Sequence, residues 1–147
     1  MKIIFLDVDG VINSVEDRFS WTIETDKHLK LLKYIIDKTN AKIVISSSWR
    51  ILSGTKNTLI KRLKDFNIEV YSETPHLCFD GIRRGDEIRQ WLKENKEIEN
   101  FVILDDESDM REFTKTNLFQ TNMEIGLTKD IADKVIEFLN RGQEYAK

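Results

Sequence analysis

Two aspartates, Asp7 and Asp9, follow the apolar run Lys2–Leu6 in the stretch KIIFLDVDG. Asp7 comes directly after the run, so a strand there would hold it firmly. Asp9, two residues on, projects to the same side while the chain stays extended. A second acidic group, DDESD at 105–109, follows another apolar run, FVIL (Phe101–Leu104). Carboxylates titrate at a pH of about 4 and are ionised at neutral pH, and several of them packed together repel one another strongly. A hard divalent cation relieves that repulsion. Mg2+ prefers oxygen ligands, commonly carboxylates together with waters and a substrate phosphate. Asp7, Asp9, Asp105, Asp106 and Asp109 therefore read as a Mg2+ site, against the plainer alternative that they cap helices and fill turns. Beside such a cation an aspartate can attack phosphorus and form an aspartyl-phosphate, which suits Asp7. Asp9 is placed to protonate the leaving alkoxide and then to deprotonate the attacking water.

A third polar group lies in KIVISSSWR (Lys42–Arg50), where serines end an apolar run. A serine nucleophile needs a base and usually a G-x-S-x-G elbow. These serines have no flanking glycines and no convincing histidine partner. A hydroxyl here is expected instead to donate a hydrogen bond to the transferring phosphate, helped by backbone N–H groups of the turn.

These residues need elements to position them. Short β-branched and aromatic runs alternate with amphipathic helical patterns, which predicts an α/β fold with a parallel sheet. Strands are expected at Lys2–Leu6, Lys42–Ile45, Ile68–Tyr71, Phe101–Leu104 and Leu118–Thr121. Leu29, Leu32, Ile35 and Ile36 recur at helical spacing, as do Leu59, Ile60, Leu63 and Phe66. A further helix is expected over Asp86–Lys93 with Ile88, Trp91 and Leu92 inward, and a last one capped by Thr128. In open α/β sheets ligands bind at the carboxyl ends of strands, and the polar groups collect at those ends.

The 147 residues suit one domain over 1–147, with a flap-like loop at 14–25 and a frayed tail at 142–147. Charged residues make up 33% and net charge is −3, so no global positive field invites nucleic acid. The single cysteine, Cys78, excludes an internal disulfide and fits a reducing compartment. No apolar stretch is long enough to span a bilayer and no signal-peptide layout is present, so a cytoplasmic protein with no membrane partner is expected. His28, near the start of a helix, reads as a surface or capping residue, and His76 as a loop residue.

With FLDVDGV, IVISSS, RRGDEI (Arg83–Ile88) and VILDDESD in this order, the sequence resembles the haloacid dehalogenase (HAD) superfamily over nearly its whole length. It looks closest to the small HAD domains of RNA-repair proteins and is similar to the phosphatase domains of polynucleotide end-healing enzymes. The resemblance implies a three-layer Rossmann-like sheet flanked by helices and a Mg2+-dependent phosphatase. Asp7 would be the nucleophile and a metal ligand. Asp9 would be the general acid/base, with its carbonyl on the metal. Asp105 would bind Mg2+ directly, with Asp106 or Asp109 beside it. An acid at the second position disfavours a dehalogenase. The third motif usually carries Lys; here Arg84 stands there, with Arg83, Lys56 and Arg50 as alternatives. Ser47 best matches the phosphate-holding hydroxyl, with Ser46 one register away, and Ser46, Ser48 and Arg50 are expected around the substrate.

Many HAD enzymes insert a cap after the first or third strand. Here both intervals are too short to fold into a domain. An open site favours a phosphate on a large substrate, such as a 3′ or 5′ nucleic-acid end; a small-molecule or nucleotide phosphatase is the alternative. Arg18, Phe19 and Trp21 in the flap either touch a nucleotide, since aromatic faces stack on bases, or pin the flap down. A receiver-like phosphoacceptor module is the rival from another class, but the third strand ends Tyr71-Ser72-Glu73 with no aspartate. Assembly could also cover the site, and nothing in the sequence fixes an oligomeric state.

Overall fold

In the computed structural model, the first strand, β1 (Lys2–Leu6), is buried along its whole length. Successive side chains of a strand point to opposite faces. Ile4 and Leu6 accordingly enter one apolar cluster, and Ile3 and Phe5 enter the other. The chain continues through α1 (Lys27–Thr39), β2 (Lys42–Ile45), α2 (Ser53–Lys64), β3 (Val70–Glu73), α3 (Arg84–Glu94), β4 (Asn100–Asp105), β5 (Leu118–Gln120) and α4 (Lys129–Tyr145). Short 3-10 turns at Ser48–Arg50 and Arg111–Lys115 follow β2 and β4. The structure describes residues 1–145, with side chains through Arg141, and the tail expected over 142–147 lies outside the described side chains.

The described strands form one parallel sheet in the order β3-β2-β1-β4-β5. On one face Ile4, Leu6, Ile43, Ile45, Val102 and Leu104 pack with apolar residues of α1, α2 and α4. On the other, Ile3, Phe5, Val44 and Ile103 meet Ile88 and Trp91 of α3 and Met110. Each fully buried Leu, Ile or Phe contributes roughly 1.5–3 kcal/mol. This is the α/β, three-layer architecture expected. Among the described residues no helix is long and apolar enough to cross a membrane.

The third strand begins two residues later than its β-branched run suggests. Asn67 turns the chain in the left-handed region, and Ile68 N–H donates to Leu63 O, so Ile68 closes the end of α2 inside the core. Thr128 does cap α4, its hydroxyl accepting from Ile131 N–H. His28 is not a surface or capping residue. It is 1% exposed, with Nδ1 3.1 Å from Leu127 O and Nε2 3.1 Å from Asp17 Oδ2. Cys78 is exposed.

Residues 14–25 form a loop that is tied down at several points. Val15 and Glu16 N–H groups donate to the carbonyls of Met123 and Glu124, each at 3.0 Å. Ile23 is fully buried, and Arg62 Nε donates to its carbonyl at 2.7 Å. Asp17 accepts from Ser14 Oγ at 2.7 Å and faces His28 and Lys27. Partial burial would raise the Asp17 pKa, but hydrogen bonds from Ser14, Thr25 and His28 together outweigh it and hold the carboxyl below its usual value.

A carboxyl whose folded pKa lies below the unfolded one stabilises the protein above the unfolded value. That stability is lost as pH falls through the folded value. Asp17→Ala should therefore lower unfolding free energy by about 1.5–3 kcal/mol at neutral pH. The gap from the native protein should shrink below a pH of about 4, measured by urea denaturation across pH.

Candidate active site

The chain runs outward from β1 through β2 to β3, then returns to β4 on the other side of β1. The carboxyl end of β1 is therefore the switch point where doubly wound sheets open a crevice. Asp7 sits there, and its N–H continues the ladder by donating to Leu104 O at 3.0 Å. Asp105 is the last residue of the neighbouring β4 and is completely buried. Asp106 follows it. Asp7, Asp105 and Asp106 each bring a carboxylate oxygen within 4.8 Å of the others. Asp109 lies outside this group, exposed and paired with Arg83 Nε at 3.1 Å.

Arg84 bridges the first two carboxylates. Its Nη1 lies 2.6 Å from Asp105 Oδ2 and 3.1 Å from Asp7 Oδ1. The start of α3 explains why Arg84, rather than Arg83, does this. Arg83 N–H donates to Asp86 Oδ2 at 2.8 Å, which makes Arg83 the N-cap and puts Arg84 at the first helical position. Close approach of the helix also depends on Gly85. A Cβ there would stand 2.5 Å from the Met110 carbonyl carbon. Lys56, another of the basic alternatives, is paired with Glu73 at 2.7 Å.

Burial raises the Asp7 pKa well above its usual value; Asp105 adds to this, while Arg84 and the Val8 N–H oppose it. Burial and Asp105 likewise raise Asp106. Burial alone would lower the Arg84 pKa, but Asp7 and Asp105 outweigh it and keep the guanidinium charged. One guanidinium among three carboxylates leaves an excess of negative charge. The oxygen-only donor set and that excess fit a hard divalent cation, which takes the place of the protons that burial would otherwise favour.

Room for Asp106 comes from Gly10. With φ +86°, Gly10 turns the chain away from β1, and a Cβ on it would stand 2.4 Å from Asp106 Cγ. The turn itself is tight: Val11, Ile12 and Asn13 N–H groups all donate to Val8 O. Thr121 at the end of β5 donates its hydroxyl to Gly10 O. The same turn aims Asp9. Its Oδ1 accepts from Asn13 Nδ2 at 2.9 Å, and its Oδ2 accepts from the Trp49 indole N–H at 3.1 Å. Asn13, Trp49 and Thr121 thus support the site, and the residue types of Asn13 and Thr121 gave no sign of it. Only Trp49 stood next to a motif.

In register, Leu6 pairs with Ile45, so Ser46 stands beside Asp7. Its hydroxyl is fully buried and has no protein partner. Ser47 is equally enclosed; its Oγ accepts from Trp49 N–H at 3.1 Å, leaving the hydroxyl proton to donate elsewhere. Ser48 is exposed at the rim. Arg50, expected around the substrate, is turned into the protein. Its Nε donates to Thr74 O, Nη1 to Ser46 O and Ser47 O, and Nη2 to Pro75 O. Nη2 also meets Glu87 Oε1 at 3.0 Å, and Glu87 Oε2 accepts from Leu77 N–H. Every guanidinium donor is occupied, so Arg50 ties β2, the segment after β3 and α3 together beneath the site.

Removing one partner of a buried ion pair leaves the other charge uncompensated. Arg50→Ala should destabilise the fold by about 3–5 kcal/mol in urea unfolding. Arg50→Lys should recover little, because an ammonium cannot span carbonyls and a carboxylate in a planar fork.

No curated protein and no solved structure matches the chain. The family model for the HAD domain in Swiss Army Knife RNA repair proteins matches residues 3–132. That covers every element from β1 to the start of α4, and with it each strand end that carries a site residue. A HAD domain points to a hydrolase. The chain belongs to this family of HAD domains from RNA repair proteins.

Proposed function

We propose that the protein is a phosphomonoesterase that removes a terminal phosphate from RNA through an aspartyl-phosphate on Asp7. The observation that carries this reading is the division of labour between Asp7 and Asp9. Asp7 lies against Asp105, Asp106 and Arg84, while Asp9 stands apart, held by Asn13 and Trp49. A cation held by the cluster would keep Asp7 ionised as the nucleophile, and Asp9, outside the cluster, is left to transfer protons.

Asp7, Asp105 and Asp106 would hold Mg2+, which when bound neutralises phosphate charge. An Asp7 oxygen attacks phosphorus, and the bond from phosphorus to the ester oxygen breaks. The carboxyl proton of Asp9 passes to the departing alkoxide. Water then attacks the same phosphorus, giving a proton to Asp9; phosphate leaves and Asp7 is restored. Arg84 holds Asp7 and Asp105 in place and offsets the negative charge gathering between them. The free hydroxyl protons of Ser46 and Ser47 are donors for the phosphate oxygens. Among the described residues no inserted domain covers this edge. An uncovered edge admits a polynucleotide end.

Purified protein should release phosphate from RNA oligonucleotides bearing a 3′- or 5′-phosphate when Mg2+ is present, and chelator should stop it. Asp9→Asn should slow turnover by about 10²–10⁴. Asp7→Asn should leave no measurable rate, and an unchanged rate in that variant would defeat the mechanism. Ser46→Ala and Ser47→Ala should divide: the hydroxyl that holds the phosphate loses turnover while Mg2+ binding survives.

A further inference from the structure

We propose that Trp21 is the platform on which the base adjoining the scissile phosphate stacks. The proposal rests on the phosphatase reading above and adds the feature of the substrate that the flap recognises. Trp21 is 71% exposed, whereas its neighbour Trp49 is buried. Their ring centroids are 5.8 Å apart at an interplanar angle of 34°. The flap does not need Trp21 as an anchor. Ile23 is fully buried, and Val15 and Glu16 are hydrogen-bonded to the 123–124 segment. The indole is therefore available to a ligand.

Its position follows the direction of the reaction. A general acid must reach the leaving-group oxygen, so the nucleoside carrying that oxygen lies on the Asp9 side of the site. Asp9 Oδ2 accepts from Trp49, the ring against which Trp21 rests. Phe79 is exposed to a similar degree, 72%, and lines a cavity of about 530 Å³ with Arg83, Arg84 and Ser48. Of these two exposed aromatic groups, Trp21 is the one that rests on the ring holding Asp9.

The loop is also connected to Asp9 chemically. Asn13 Nδ2 donates both to Asp9 Oδ1 and to Ser20 O, the residue before Trp21. Both groups that orient Asp9, Asn13 and Trp49, also contact the flap around Trp21. Arg18, Phe19 and Ile23 hold φ values of 62°, 43° and 55° without glycine. Such backbone is costly and persists where surrounding contacts enforce it, often at ligand clamps.

The test compares KM for RNA oligonucleotides ending in phosphate with KM for glycerol phosphate, which has no ring. Stacking of one base corresponds to about a tenfold change. Trp21→Ala should raise the oligonucleotide KM by about tenfold and leave glycerol phosphate kinetics unchanged. Trp21→Phe should restore most of the loss, and an abasic residue next to the phosphate should reproduce it in the native protein. Phe79→Ala should affect neither substrate. Separate 3′- and 5′-phosphate arms report which end is read. Equal loss on both substrates would mean that Trp21 only props Trp49 and Asp9, and would overturn the proposal; so would an unchanged oligonucleotide KM. If the native protein turns over neither substrate, the phosphatase reading fails, and quenching of tryptophan fluorescence by the same oligonucleotide decides the stacking. Quenching lost in Trp21→Ala supports it; quenching that survives, or none in the native protein, overturns it.

Discussion

Arg84 lies between Asp7 and Asp105, and much of the surrounding structure is what that bridge requires. Carboxylates this enclosed repel each other, and burial favours their neutral forms. A single guanidinium 2.6 Å from one and 3.1 Å from the other offsets part of that cost and fixes their geometry. What it leaves over, with Asp106 added, is an excess of negative charge that fits a hard divalent cation.

Reaching that arrangement constrains distant parts of the chain. The first turn of α3 has to lie against the β4 loop, which Gly85 permits by having no Cβ. Gly10 leaves the space that Asp106 fills. Beneath the site, Arg50 and Glu87 join α3 to the end of β2 and to the segment after β3. Their role is to hold α3, and so Arg84, at a fixed distance from β1. Asn13 and Trp49 hold Asp9, which is not one of the three clustered carboxylates.

The strand ends were legible because the apolar runs of β1, β2 and β4 each stop abruptly at a polar group, three such groups in order. The order of elements, the parallel sheet and the pairing of Asp7 with the 105–109 cluster followed from that. The choice between Asp106 and Asp109 did not, since it depends on how the chain turns after β4. Asp105 Oδ1 accepts from Glu107 N–H, and the turn carries Asp109 outward to Arg83. The choice of Arg84 over Arg83 depended on one helix cap. Arg50 misled for a related reason. An arginine after a strand end suggests a phosphate contact, yet three of its donors go to the distant Thr74 O, Pro75 O and Glu87 carboxylate, which local pattern does not report. His28 is similar, with Leu127 on its far side.

In the proposed reaction Asp7 is the residue phosphorylated, at a cation site made with Asp105 and Asp106. The most direct measurement is a crystal structure of the protein with Mg2+ and beryllium fluoride, which mimics a phosphoryl group on a carboxylate. The fluoride adduct should stand on Asp7, with a cation among Asp7, Asp105 and Asp106 and with Asp109 still paired with Arg83. An adduct on another residue, or a cation held by Asp109 and away from Asp7, would contradict the proposed reaction.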